Sequence, residues 1–165
     1  MQEFLTPERI TVPEDLDEFR NEVLAAHIEY RKRHKVNGLK LSKTLNETAQ
    51  QWAETIARTG TFMHRPNSKH GENIFAGFKS NGSFSAAHVV KCWYDEVQKY
   101  DFKNQGFQPN TGHFTQLVWK SSKELGVGTA IGQNGYTYVV ANYSPAGNVK
   151  KQFEKNVFPE KKGFF

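Results

Sequence analysis

Residues Phe19, Val23, His27 and Tyr30 recur at three- and four-residue spacing, which predicts a first helix from Asp17 towards the Asn37-Gly38 stop. A second helix is expected up to Gly60, with Thr44 and Glu47 as a capping box and Leu45, Ala49, Trp52, Ala53 and Ile56 as its apolar stripe. After a polar loop from Arg65 to His70, Glu72 to Phe78 reads as a short extended segment. Ser83 or Ser85 is placed to cap a third helix whose stripe is Val89, Trp93, Val97 and Tyr100. A loop carrying Gly106, Pro109 and Gly112 leads to a short amphipathic piece with Phe114, Leu117 and Val118. The last third alternates: Gly126 to Ile131, the Gln133-Asn134-Gly135 turn signal, then Tyr136 to Tyr143, a candidate hairpin. Helices first and a small antiparallel sheet afterwards predict an α+β fold, not a doubly wound parallel sheet.

Two carboxylates break this pattern. Glu96 lies between Trp93 and Tyr100, at the border of a stripe that faces the core, and Glu72 shares the alternating face of Ile74, Ala76 and Phe78. A carboxylate in either place must be paired, protonated, metal-bound or at a cleft wall, because burying it alone costs several kcal/mol. His64 follows the apolar Phe62-Met63, and His113 opens the short piece before Phe114. Brought together, these four side chains suit a divalent ion or general acid–base chemistry. Their separations along the chain, eight, 24 and 17 residues, match no local metal motif.

The other reactive residues take plainer readings. His27 is expected as a hydrogen-bonded core residue, His34, His70 and His88 as surface residues, and Cys92 as a small buried hydrophobe. Trp52, Trp93 and Trp119 read as core anchors, with Trp119 and Phe114 as an alternative pocket lining. Gly126-Val127-Gly128 lacks the remainder of a nucleotide-binding fingerprint and is expected to serve strand packing.

The chain of 165 residues has room for one compact domain. Residues 1–16 read as an extended arm, 17–159 as the domain and 160–165 as a basic, aromatic end. One cysteine excludes an intramolecular disulfide, and no apolar run approaches 18 residues. The opening segment Met1 to Pro7 has neither a signal-peptide pattern nor a second-position glycine. The expectation is therefore an intracellular protein, with secretion after removal of a leader as the alternative. Lysine and arginine (22) exceed aspartate and glutamate (17), a net +5 that favours anionic partners. The basic residues lack interleaved stacking aromatics, so no nucleic-acid partner is expected.

Gly112-His113-Phe114-Thr115-Gln116-Leu117-Val118-Trp119-Lys120-Ser121-Ser122 resembles the first signature of the CAP superfamily, which unites cysteine-rich secretory proteins, antigen 5 and pathogenesis-related 1 proteins. Tyr138 to Val149 is similar to the second signature. Gly71-Glu72-Asn73-Ile74 and Cys92-Trp93-Tyr94-Asp95-Glu96 match two more landmarks in the family's order. Asn21 to Leu24, Gly106-Phe107 and Pro145 to Val149 resemble its intracellular, Golgi-associated branch. The resemblance implies a three-layer α-β-α sandwich whose cleft is lined by His64, Glu72, Glu96 and His113, a set that in relatives can bind zinc. It also implies anionic-lipid, sterol or fatty-acid ligands, peripheral attachment at the cytosolic Golgi face, and a homodimer. Zinc is not expected to be required for folding. Ala141 stands where secreted relatives usually carry a cysteine, which agrees with the intracellular branch.

Three functions follow from this reading. The first is association with anionic membranes or small lipids, drawing on Lys150-Lys151 through Lys161-Lys162 and on Phe164-Phe165. The second is a zinc-dependent or serine-type hydrolase in the same cleft, with Ser80, Ser83 and Ser85 better explained as loop or cap residues. The third is a protein-interaction module that forms a homodimer.

Overall fold

The computed structural model describes residues 9–80 and 84–161. Ser83, Lys162 and the Phe164-Phe165 end therefore lie outside the described residues. In chain order the elements are α1 (Leu16–Arg33), β1 (Lys40–Leu41), α2 (Lys43–Thr59), β2 (Gly71–Phe78) and α3 (Ala86–Tyr94). A 3-10 helix (Asp95–Lys99), α4 (Gly112–Leu117), β3 (Glu124–Ile131), β4 (Tyr136–Ser144) and α5 (Phe153–Asn156) follow.

The sheet has the order β1-β3-β4-β2 and is buried on both faces. Along β4, Val139, Ala141 and Tyr143 join the larger core with Val23 of α1, Val89 and Trp93 of α3, and Phe114 and Leu117 of α4. Tyr138 and Val140 point the other way, into a smaller core with Ala49, Ala53, Ile56 and Ala57 of α2. Period-two alternation thus sorts successive side chains between two helical layers, giving the three-layer α-β-α sandwich. The hairpin pairs β3 with β4 antiparallel from Glu124–Ser144 to Ile131–Thr137, and β2 adds antiparallel to β4. The sheet is mixed, not wholly antiparallel, because β1 runs parallel to β3 at Lys40–Glu124 and Leu41–Leu125.

Strand β1 ends after two residues, yet the outer edge of β3 stays satisfied. Val127 N–H donates to Asn46 Oδ1 (2.9 Å), and Val127 O accepts from Arg20 Nε (2.7 Å). The Gln50 amide grips Thr129 at both its N–H and its carbonyl, each at 2.9 Å. Thr11, in the extended lead-in, exchanges two backbone bonds with Ile131 at 2.8 Å. Helix side chains and the lead-in segment here replace a strand, which blunts an exposed edge. A Cβ at Gly126 or Gly128 would meet the backbone of Leu45 or Gln50 at 2.2–2.4 Å. These glycines let α2 lie against β3, the packing role expected of them.

Several boundaries differ from the periodicity. Helix α1 stops at Arg33, because Lys35 enters the left-handed region at φ 62°. Helix α2 is capped by Ser42, which accepts from Leu45 N–H at 3.2 Å, so the Thr44–Glu47 capping box is not used. Its other end falls at Gly60 in the left-handed conformation, as the stop signal predicted. Ser85 caps α3 by accepting from His88 N–H at 3.1 Å. The predicted third helix tightens into the 3-10 turn after Tyr94. Trp93 and Trp119 are buried, whereas Trp52 is half-buried and donates its indole N–H to Met63 O. Phe114 and Trp119 belong to the closed core, so their alternative as a pocket lining is not adopted.

Candidate functional site

The four polar intruders line one cleft of about 250 Å³, together with Asn73, Phe107, Asn110, Gly112 and Asn148. They stand as two dyads. On the α2 side, His64 Nδ1 lies 2.7 Å from Glu72 Oε1, which also accepts from Arg65 N–H at 3.0 Å. On the α3–α4 side, His113 Nδ1 lies 2.7 Å from Glu96 Oε2. A carboxylate can only accept, so each imidazole carries its proton on Nδ1 and leaves Nε2 with a free lone pair when neutral.

Local structure explains both placements. Alternation along β2 turns Glu72 to the same face as Ile74 and Ala76, over which α2 and the following loop pass. Its side chain is only 6% exposed and meets Asn142 Nδ2 from β4 at 3.4 Å. Glu96 is carried by the 3-10 turn to the start of α4. There Oε1 accepts from His113 N–H (2.9 Å) and Phe114 N–H (3.1 Å). Glu96 thus caps a six-residue helix from outside it, complementing the positive end of the helix dipole.

The opposite end of α4 is fixed by Arg31. Its guanidinium donates to the carbonyls of Leu117 (3.0 Å), Trp119 (2.9 Å), Ser122 (3.1 Å) and Asn37 (2.7 Å). Burial lowers its pKa to about 10, which still leaves it charged at neutral pH. The His113 ring lies nearly parallel to buried Trp93 (11°, centroids 6.2 Å apart), and Asn73 Nδ2 donates to His113 O at 3.0 Å. With α4 held at both ends, the imidazole orientation is set by the fold.

The two histidines differ in exposure. The His64 side chain is 65% exposed, and its pKa is raised chiefly by the hydrogen bond to Glu72. The His113 side chain is 34% exposed. Among the described residues, no group of three or more histidine, cysteine, aspartate or glutamate side chains is arranged to hold a metal ion. The atoms left to hold a cation would be the two imidazole Nε2, since each ring is bonded to a carboxylate through Nδ1.

His64, Glu72, Glu96 and His113, the set that the family resemblance implied, line one cleft, and the remaining flagged residues lie outside it. His27 is buried, as expected, and His70 is half-buried. His34, expected at the surface, is fully buried, its Nδ1 2.7 Å from Phe158 O and its Nε2 2.8 Å from Tyr94 OH. Cys92, expected in the core, is exposed, one position round the helix from buried Trp93. Sequence reasoning missed Asn73, Asn110 and Asn148 as cleft walls. Asn110 and Asn148 occupy the left-handed region (φ 64° and 56°), so their sequence signal is that of turn residues.

A family model described as the cysteine-rich secretory protein family, CAP, matches residues 24–143. Human Golgi-associated plant pathogenesis-related protein 1 is 46% identical over 151 residues, covering 88% of this chain and 96% of that protein. Protein PRY2 of Saccharomyces cerevisiae is 36% identical over 144 residues, 86% of this chain but 42% of PRY2. The secreted protein PRY1 of Candida albicans is 38% identical over 143 residues, covering 86% of this chain and 32% of its own length. This chain therefore spans less than half of these two fungal relatives. NaASP2, crystallised with Zn²⁺, shares the fold with a TM-score of 0.66 at 23% identity, covering 92% of this chain and 91% of its own. No helix among the described residues is long and apolar enough to cross a membrane. The motifs, the layered fold and the family match agree: this chain belongs to the CAP family of cysteine-rich secretory proteins.

Proposed function

We propose that this chain is a membrane-associating CAP module whose cleft holds a divalent cation, zinc by preference, through His64 Nε2 and His113 Nε2. The observation that supports the cation reading is the pair of 2.7 Å imidazole–carboxylate contacts, which consume Nδ1 of each ring and point Glu72 and Glu96 to a supporting role. Water or a ligand's oxygen would complete the coordination. Calorimetric titration with zinc, in a Cys92→Ser background that removes the exposed thiol as a competing ligand, tests the assignment. Adding His64→Ala lowers affinity by about 100-fold or more, beyond the loss of a merely supporting group, and equal affinity with and without that substitution removes the assignment.

Membrane association draws on the net charge and on the exposed lysines Lys150, Lys151 and Lys155 around α5. Each lysine near an anionic leaflet contributes about 1 kcal/mol, so these three supply part of a reversible electrostatic attachment. The relatives divide between a Golgi-associated protein and secreted fungal ones, and the cytosolic Golgi face suits the closer identity. Co-sedimentation with phosphatidylserine vesicles is the test. Replacing the three lysines by glutamine, or raising the salt, releases the protein; binding indifferent to both sinks the electrostatic reading.

A hydrolase in the same cleft has less support. Among the described residues lining it, none is serine, threonine or cysteine. Both carboxylates are already engaged: Glu96 accepts three hydrogen bonds, and Glu72 accepts from His64, Arg65 and Asn142.

A further inference from the structure

Helix α3 carries a second pair of metal-seeking atoms, outside the cleft. His88 and Cys92 are one helical turn apart on its exposed face, with Nε2 and Sγ separated by 3.5 Å. The His88 ring is held in place by stacking on Phe84 (centroids 5.3 Å, 23°) and by Phe75 edge-on at 6.1 Å. It borders an open hollow of about 540 Å³ shared with Lys79, Phe84 and Ser85.

The separation is informative. A tetrahedral zinc ion takes sulfur at about 2.3 Å and imidazole nitrogen at about 2.0–2.1 Å, which places the two donors roughly 3.5–3.6 Å apart. The pair stands at that separation as a sulfur–imidazole hydrogen bond, so taking up a cation requires side-chain rotation that turns both donors to one point but no movement of the helix. We propose that His88 and Cys92 form a bidentate clamp for a thiophilic divalent cation such as zinc, separate from the cleft and presented on the surface with two coordination positions open to outside ligands. Thiolate and imidazole together select zinc over calcium or magnesium, which prefer oxygen. The neighbouring Asp95 carboxylate is engaged by Lys91 Nζ at 2.6 Å and does not compete for the ion. Burial, with Asp95 nearby, raises the Cys92 pKa, so the thiol is protonated without metal and metal binding releases that proton.

Cobalt(II) added to the full chain is a probe with a thiolate-specific signature, a near-ultraviolet sulfur-to-cobalt charge-transfer band. The cleft offers no sulfur and is silent in this band. Wild-type protein should show the band, and zinc should bleach it. Cys92→Ser should abolish it, His88→Ala should raise the half-saturating cobalt concentration by at least about tenfold, and His64→Ala should leave it unchanged. Both α3 variants are at exposed positions, and metal-free melting curves matching wild type confirm that they fold. Absence of the band in wild type, an unaltered titration in His88→Ala, or loss of the band in His64→Ala would overturn the clamp. The cleft's occupancy is read separately, by zinc calorimetry on Cys92→Ser.

Discussion

Two pairs of histidines in this molecule show opposite uses of the same ring. His27 and His34 sit in the core, each with Nδ1 against a backbone carbonyl, of Val23 and Phe158 respectively. Each also has Nε2 against a tyrosine hydroxyl, of Tyr143 at 2.7 Å and Tyr94 at 2.8 Å. A carbonyl accepts from Nδ1–H, so Nε2 accepts from the phenol and both nitrogens are consumed. Burial raises the Tyr143 pKa, keeping that phenol a donor. His64 and His113, which line the cleft, instead give Nδ1 to a carboxylate, at 2.7 Å in each case. A carbonyl-and-tyrosine partnership makes a neutral structural ring, whereas the carboxylate beside His64 raises that ring's pKa.

The largest effect expected from breaking this contrast is on stability. His27→Ala opens a cavity beside Tyr143 and strands buried polar groups, and should cost about 3 kcal/mol in chemical denaturation. His64→Ala, at an exposed ring, should stay within about 0.5 kcal/mol. A comparable cost for both would erase the distinction. Acid should reveal the same asymmetry. Burial lowers the His27 pKa from 6.5 to about 4, so the unfolded chain binds this proton first as pH falls. His27's contribution to stability is complete above pH 6.5 and falls away towards pH 4, by up to about 1.4 kcal/mol per pH unit, and His27→Gln should flatten that slope.

Smaller effects concern the ligand side. In Cys92→Ser, where the helix thiol is absent, Glu72→Gln should weaken zinc by about tenfold, because the amide holds the His64 ring less firmly. An unchanged affinity would make Glu72 irrelevant to the cation. The least change is in pH dependence. The Glu72 hydrogen bond raises the His64 pKa above 6.5, so protons displace zinc as pH falls through that raised value. In Glu72→Gln the displacement should move to lower pH. The same ion pair stabilises the fold below pH 6.5 and loses that contribution as pH rises through the raised pKa, opposite in sign to His27.

Much of the fold could be read from spacing, and the exceptions have physical causes. The β3–β4 hairpin, α2 and its Gly60 stop, and Ser85 at the head of α3 follow from local periodicity and capping chemistry. Strand β1, at two residues, is too short to show a period, and it exists because Leu41 finds Leu125 some eighty positions away. His34, expected at the surface although it follows Tyr30 by four residues on the same face, is enclosed by Tyr94, Phe114 and Phe158 from distant segments. Cys92 misled in the other direction. One residue is about 100° of helix rotation, so the neighbour of buried Trp93 turns to solvent.

By itself the sequence determined which segments bury which faces and where carboxylates and imidazoles interrupt them, since a side chain's burial follows the period of its own element. Its motifs also assigned the family. Only the tertiary structure decided that His64 meets Glu72 while His113 meets Glu96, that Glu96 caps α4, and that His34 belongs to the core. Those pairings depend on how the α2–β2 loop, the 3-10 turn and the C-terminal segment cross one another, and hydrophobic patterning is blind to hydrogen-bond partners that far apart in the chain.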